Sequence, residues 1–203
     1  MKVPKTTRTA NGLALAWALV PVAAAAVQGP SFDCHAVRAG SMAELVCRDD
    51  TLAAFDRTLA AVYARAVEKA RNERPPVLKA EQRGWIKGRD DCWKNANPRA
   101  CVEDSYRLRI AELQARYALV PGTGPFTFVC DGDLRSEVIA RYFQTDPPTL
   151  IAERGDAVSL MFAQPSASGA RYVGRNENLW EHQGEATIQW GYGAPQMRCV
   201  RQP

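Results

Sequence analysis

Apolar residues recur along this chain with two different spacings, and the change falls near residue 120. From Leu52 onward, Leu52, Phe55, Leu59, Val62, Tyr63 and Ala66 return every three or four residues behind Asp49, Asp50 and Thr51. That spacing predicts an amphipathic helix of about six turns. Asn72-Glu-Arg-Pro-Pro76 ends it, since a proline cannot continue the ladder and pushes its predecessor out of the α region. A second helix is expected from about Val77, with Leu78, Gln82, Trp85 and Arg89 along one side; it reaches Cys92 and Trp93 before Asn95-Ala-Asn-Pro98 breaks the pattern. A third, from about Arg99 to Tyr117, carries the stripe Val102, Tyr106, Ile110, Leu113 and Tyr117. Ahead of these, Ser41 with Glu44 three residues on has capping-box spacing and predicts a short helix between Cys34 and Cys47.

Beyond Val120-Pro-Gly-Thr-Gly-Pro125, which has the composition of a linker, the spacing becomes alternate. Phe126 to Cys130 reads as a strand, Asp131-Gly132 as a hairpin turn, and Val138 to Phe143, Thr149 to Glu153, Ala157 to Phe162, Ala186 to Trp190 and Gln196 to Val200 as further strands. In the strand from Ala186, the residues Ala186, Ile188 and Trp190 share a face; Pro147-Pro148 confines the connection between the Val138 and Thr149 strands to a loop. Strands this short and regular suggest a barrel or sandwich. The fold class expected is therefore α+β: a helical domain over residues 27–120, followed by a small antiparallel β domain, barrel or sandwich, over 121–203.

The N-terminus alters the charge and the compartment. Lys2, Lys5 and Arg8 precede a run of about 15 mostly apolar residues ending in Ala24-Ala25-Ala26, the layout of a cleaved signal peptide over residues 1–26. It is short of the roughly 20 residues a spanning helix needs, so no membrane span is expected after cleavage. The first cysteine, Cys34, follows Ser31-Phe32-Asp33 rather than small residues, which argues against a lipoprotein and for a periplasmic protein. Cleavage removes three basic residues and no acid, taking the formal charge from +4 to +1, and neither half carries a nucleic-acid footprint. No cofactor is expected. With His35 and His182 far apart and no Cys-x-x-Cys, a metal site is not indicated, and the six cysteines read as disulfides of an oxidising compartment. Cys130, in the first strand, and Cys199, in the last, would be neighbours in a closed barrel. In the helical half, folding the long helix back about Pro75 and Pro76 brings Cys101 near its start, which favours Cys47 with Cys101 and Cys34 with Cys92. The local pairing, Cys34 with Cys47 and Cys92 with Cys101, stays open beside it.

The stretch from Ser166 to Ala186 carries the functional signal. Ser166, Ser168 and Gly169 form turns, and Arg171 and Tyr172 follow at once, so a tight turn would hold a hydroxyl, a guanidinium and a phenol together as a plug. Ser-Gly-Ala-Arg-Tyr (168–172) followed by Leu-Trp-x-x-x-Gly-x-Ala (179–186) resembles the signature of the MliC family, inhibitors of c-type lysozyme built as small β-barrels, and the resemblance covers roughly residues 126–203. It implies that Ser168 and Tyr172 enter the lysozyme cleft. Gly169 would set the shape of the loop and Arg171 would add a cation. Where the family usually has a Lys beside the glycine, this chain has Gln183 before Gly184, so a charge-assisted contact is replaced by a neutral one.

The first half resembles the LprI-type domain through Asp33-Cys-x-x-Ala, Glu44-x-x-Cys47, Leu52-x-x-x-Asp56-x-x-Leu59, Gln82-Arg-x-Trp85-x-x-x-Arg89-Asp90-x-Cys92, Cys101 and Tyr106-x-x-Arg109, over residues 33–118. An LprI protein has been associated with lysozyme inhibition. The expected partner is thus c-type lysozyme, and the sequence leaves open whether the chain forms a homodimer. Two other readings compete. An enzyme with Ser168 as nucleophile and His182 as base lacks a Gly-x-Ser-x-Gly elbow, and Asp49-Asp50 and Asp90-Asp91 fall at helix ends, where carboxylates cap. A periplasmic structural or ligand-binding module would make the Ser168 turn an ordinary hairpin and Trp180 part of the core. Trp85 and Arg89 read as packing and a structural ion pair.

Overall fold

Asp49 decides how the helical half begins. Its side chain accepts the Leu52 N–H at 3.0 Å, capping α2 (Asp50–Lys69) and separating it from α1 (Met42–Arg48). Ser41 caps α1 by accepting the Glu44 N–H at 3.2 Å, while the Glu44 carboxylate accepts the Gly40 N–H at 2.7 Å, a capping box displaced by one residue. The structure, a computed structural model, describes residues 1–2 and 28–203, so the export segment read over residues 1–26 lies almost wholly outside the described residues. α3 (Leu78–Asp90) and α4 (Pro98–Arg116) complete the set, with Asn97 capping α4 and a proline at its first turn.

The stripes expected from the sequence meet in one core: Leu52, Leu59, Val62 and Ala66 of α2 pack with Val102, Tyr106, Ile110 and Leu113 of α4. A buried polar chain runs through it. The Tyr106 hydroxyl donates to Asp56 at 2.9 Å and accepts from Arg89 at 2.9 Å, and Ser31 N–H and Oγ both donate to Asp56. Burial, with the Asp56 carboxylate alongside, raises the Tyr106 pKa despite the opposing Arg89 charge, so the phenol stays a neutral donor. Trp85 meets Tyr106 edge to face at 5.2 Å, and Arg89 lies over Trp85; both residues are packing, as their positions suggested.

The preferred disulfide pairing is overturned. Cys34 bonds Cys47 and Cys92 bonds Cys101, each pair local, rather than Cys47 with Cys101 and Cys34 with Cys92. The helix starts do come together as folding back requires: Arg99 at the start of α4 reaches Asp49 at the start of α2, at 2.7 Å. Local geometry takes precedence because a 3₁₀ turn at Cys34–Ala36 faces the last turn of α1. Another, at Asp91–Lys94, turns Cys92 onto the first turn of α4.

The linker expected at Val120–Pro125 is mostly strand. β1 (Gly122–Cys130) already begins there, with a bulge between Thr123 and Phe126, and Leu119 still packs in the helical core. β2 (Asp133–Phe143), β3 (Thr149–Arg154), β4 (Ala157–Gln164), β5 (Ala170–Val173), β6 (Glu177–His182), β7 (Glu185–Trp190) and β8 (Gln196–Arg201) follow as an antiparallel meander, and β8 pairs with β1 to close the barrel. Inward positions alternate along each strand and fill the interior with Phe128, Val138, Ala140, Leu150, Met161, Leu179 and Ile188. Cys130 lies opposite Cys199 and is bonded to it, as barrel closure led us to expect. On the outside, α4 packs toward the wall made by β3 and β4; Arg107 pairs with Asp146 at 2.7 Å, and Glu112 and Arg116 line a cleft with Leu160 and Phe162.

Candidate functional site: a rim loop at one end of the barrel

In an up-and-down barrel alternate connections fall at the same end. One end here collects the β2–β3 loop, the β4–β5 loop with Ser166 and Ser168, and the β6–β7 turn with Gln183 and Gly184. Gln183 has φ 53° and Gly184 φ 85°, the two left-handed positions of a type I′ hairpin. Of the residues singled out from the sequence, Ser168, Gly169, Tyr172 and Gln183 are thereby brought to one rim.

The loop is held from β6 as well as by its own turn. Trp180 Nε1 donates to the Ser168 carbonyl at 2.9 Å, and Ser166 Oγ donates to the same oxygen at 2.6 Å, leaving the exposed Ser168 hydroxyl free of protein partners among the described residues. Gly169 adopts φ +67° and lies against β6. A Cβ there would fall deep inside contact with the Glu181 carbonyl oxygen, 3.1 Å from its carbon and 3.1 Å from His182 Cβ. Glycine is therefore required twice, for its backbone angle and for its missing side chain.

Arg171 and Tyr172 are not part of the turn. Both lie in β5, paired with Trp180 and Leu179 respectively, so strand alternation sends them to opposite faces. Arg171 points outward and is exposed. Tyr172 points into the barrel mouth, edge-on to Tyr142 at 5.5 Å. Beside it in the mouth, Tyr142 donates to Glu181 at 2.6 Å, Arg201 approaches Glu181 at 3.8 Å, and the Arg201 guanidinium covers the Phe126 ring at 3.4 Å. Burial raises the Tyr172 pKa, and the Glu181 charge raises it further. The phenol at the mouth is thus a neutral hydroxyl, able to donate to an anion.

Trp180 corrects an expectation. Its relative exposure is 41%, so it is not core; Leu179 takes the inward position and Trp180 the outward one. It is also the residue whose part in the candidate site sequence reasoning undervalued, because its N–H fixes the loop. Its place in Trp-x-x-x-Gly-x-Ala, one strand away from the Ser168 turn, was the available signal. No side-chain hydrogen bond joins Ser168 to His182 among the described residues; His182 instead stacks parallel to Trp180, ring centroids 6.4 Å apart. Among the described residues no group of three or more metal-ligating side chains converges.

Comparison with known proteins divides the chain in the same way. Residues 34–113 match the family model described as lysozyme inhibitor LprI, and residues 128–197 match that of the membrane-bound lysozyme inhibitor of c-type lysozyme, MliC. Lipoprotein LprI of Mycobacterium tuberculosis is 33% identical over 166 residues, covering 80% of each chain, and Lipoprotein LprI of Mycobacterium bovis matches to the same extent. No solved structure matches. Since that similarity runs through both the helices and the barrel, the chain belongs to the LprI family.

Proposed function

We propose that the protein is a periplasmic inhibitor of c-type lysozyme that places the Ser168 loop in the enzyme's cleft. Lysozyme holds two carboxylates, one protonated and one ionised, at the floor of a sugar-binding groove. A narrow rim bearing the Ser168 hydroxyl, the Tyr172 phenol and the Gln183 amide offers neutral donors to that floor without burying a charge of its own. The observation that carries the reading is the fixation of the loop: the Ser168 carbonyl takes two hydrogen bonds and Gly169 rests on β6, so little ordering remains to be paid on binding. The role of both matched families as lysozyme inhibitors supports the same partner, and the protein acts as a ligand of the enzyme rather than as a catalyst. Cys34, taken up in a disulfide with Cys47, is not free for lipid attachment, which supports a periplasmic protein that is not itself a lipoprotein.

The test is clearance of a peptidoglycan suspension by c-type lysozyme with and without the chain lacking residues 1–26, and with its Ser168→Ala, Tyr172→Ala and Arg171→Ala variants. Truncating a hot-spot residue costs about 2 kcal/mol or more, and thus over tenfold in affinity. That is the loss expected at Ser168 and Tyr172. Arg171, on the outer face, is expected to cost only about 0–1 kcal/mol, the worth of a solvated pair. Full inhibition by both the Ser168 and the Tyr172 variants, folded as the parent, would refute the plug.

A further inference from the structure

While α4 packs toward the wall formed by β3 and β4, the outer faces of β5 to β8 stay open, and on them Trp180 separates two shallow depressions. One, of about 590 Å³, is bounded by Ser166, Arg171, Asn178, Gln189 and Gln196; the other, of about 530 Å³, by His182, Glu185, Arg198 and Val200. We propose that this wall is a glycan-binding groove that takes a carboxylate-bearing aminosugar polymer laid across Trp180.

The indole N–H is already committed to the Ser168 carbonyl, so Trp180 has its π face to offer, and His182 stacked parallel to it lengthens the platform. A pyranose ring presents such a face with C–H groups on one side and hydroxyls around its edge. The edge is met by amides. Asn178 donates to Gln189 at 2.8 Å across the β6–β7 pair, which fixes both side chains and leaves the second amide N–H and the remaining lone pairs directed to a ligand. Charge selects the kind of glycan. Arg171 and Arg198, one in each depression, take no carboxylate partner among the ion pairs of the described residues; Glu185 is the acid that lines the depressions, and Asp131 accepts the backbone N–H of Arg198 at 3.0 Å. Two unpaired guanidinium groups flanking an aromatic platform complement a polymer that repeats carboxylates between neutral aminosugars. What favours a glycan over a protein is the set of amides, Asn178, Gln189 and Gln196, along one side of the aromatic platform; Trp and Arg by themselves are equally at home in protein interfaces. The groove starts beside the inhibitory loop, at Ser166 and Trp180, and runs away from it: Asn178, Gln189 and Gln196 lie toward the opposite end of the barrel from Ser168.

The experiment is calorimetric titration of the chain lacking residues 1–26 with two probes of equal length: peptidoglycan glycan strands stripped of their peptides, which keep a carboxylate on alternate sugars, and neutral chitin oligosaccharides. Expected are binding of both, at least tenfold tighter for the acidic strands at low salt, and loss of that preference in the Arg171→Gln/Arg198→Gln double variant. Because Trp180→Ala also releases the Ser168 carbonyl, Gln189→Ala is the cleaner variant; it should weaken both probes several-fold while lysozyme inhibition is unchanged. Absence of binding to either probe overturns the proposal, as does binding undiminished in the Gln189 and double-arginine variants. Gln189→Ala that impairs lysozyme inhibition with no glycan bound would overturn it too, and assign the wall to the protein interface.

Discussion

Gly169 and Gly184 form a matched pair of substitutions. Both have positive φ, +67° and +85°, yet a Cβ at Gly184 meets nothing within 4 Å, whereas at Gly169 it meets the Glu181 carbonyl. Alanine at either position pays the left-handed backbone penalty, about 1–2 kcal/mol. Only Gly169→Ala must also move. Ordinary carbon contacts lie at roughly 3.5–4.0 Å, so the loop has to shift outward by on the order of 1 Å, and a shift of that size breaks the Trp180 Nε1 bond to the Ser168 carbonyl, worth about 1 kcal/mol. For a domain of this size each kcal/mol lowers the melting temperature by about 4–8 °C. Gly184→Ala is therefore expected to melt several degrees below the parent and still inhibit lysozyme. Gly169→Ala should melt lower again and lose at least tenfold in inhibition, because a plug displaced by about 1 Å no longer meets a preformed cleft. Scanning calorimetry alongside the clearance assay checks both. Equal melting and equal inhibition by the two variants would refute the claim that contact with β6 positions the loop.

Replacing Cys130 and Cys199 together by Ala should cost about 4 kcal/mol, since their bond spans 69 residues of sequence; denaturant melts of the barrel signal measure it. Gln183→Lys should tighten lysozyme binding, a charge-assisted bond being about twice as strong as a neutral one, with the gain fading as salt rises from 50 to 500 mM, conditions chosen to span the range over which the screening length contracts to several ångströms; an inhibition constant unchanged at low salt would place Gln183 outside the cleft. Asp49→Ala should destabilise the helical half by about 0.5–2 kcal/mol through loss of its cap, and Asp49→Asn by less, since Asn still caps but loses Arg99. The Leu52 backbone bond, followed by Arg99, holds the Asp49 carboxyl below its ordinary 3.8. Its contribution is thus complete above that value and disappears as pH falls through the lowered one, a loss that acid titration of the parent should show and that of Asp49→Ala should lack.

Long periodic segments were legible in the sequence because one force dominates them. The stripes of α2 and α4 bury against each other, and Cys130 and Cys199 sit in strands that only closure brings together. β5 and β6 were not legible as strands. β5 is four residues long and follows a Ser- and Gly-rich turn, and β6 has a single large apolar inward residue, Leu179, beside an outward Trp180. Hydrophobicity alone therefore assigns the wrong one of those two to the core. Loop and strand also compete at Arg171 and Tyr172: proximity in sequence suggested one cluster, while the pleat separates them. Disulfide partners in the helical half depended on the break at Asp49 and on the 3₁₀ turn after α3, local details that no long-range argument contains.

The β1–β8 seam rests on three residue pairs, Phe128 with Arg201, Val129 with Val200 and Cys130 with Cys199. A closed meander offers no unpaired strand to a neighbouring molecule, and this one is kept closed by a covalent latch at one of its two shortest joins. Oxidation is thus also a safeguard against self-association: a chain in which this bond has not yet formed can part at the seam and present two free edges, each a template for another copy. Newly made molecules would then be exposed to strand exchange until the disulfide forms, and protected from it once the latch is made.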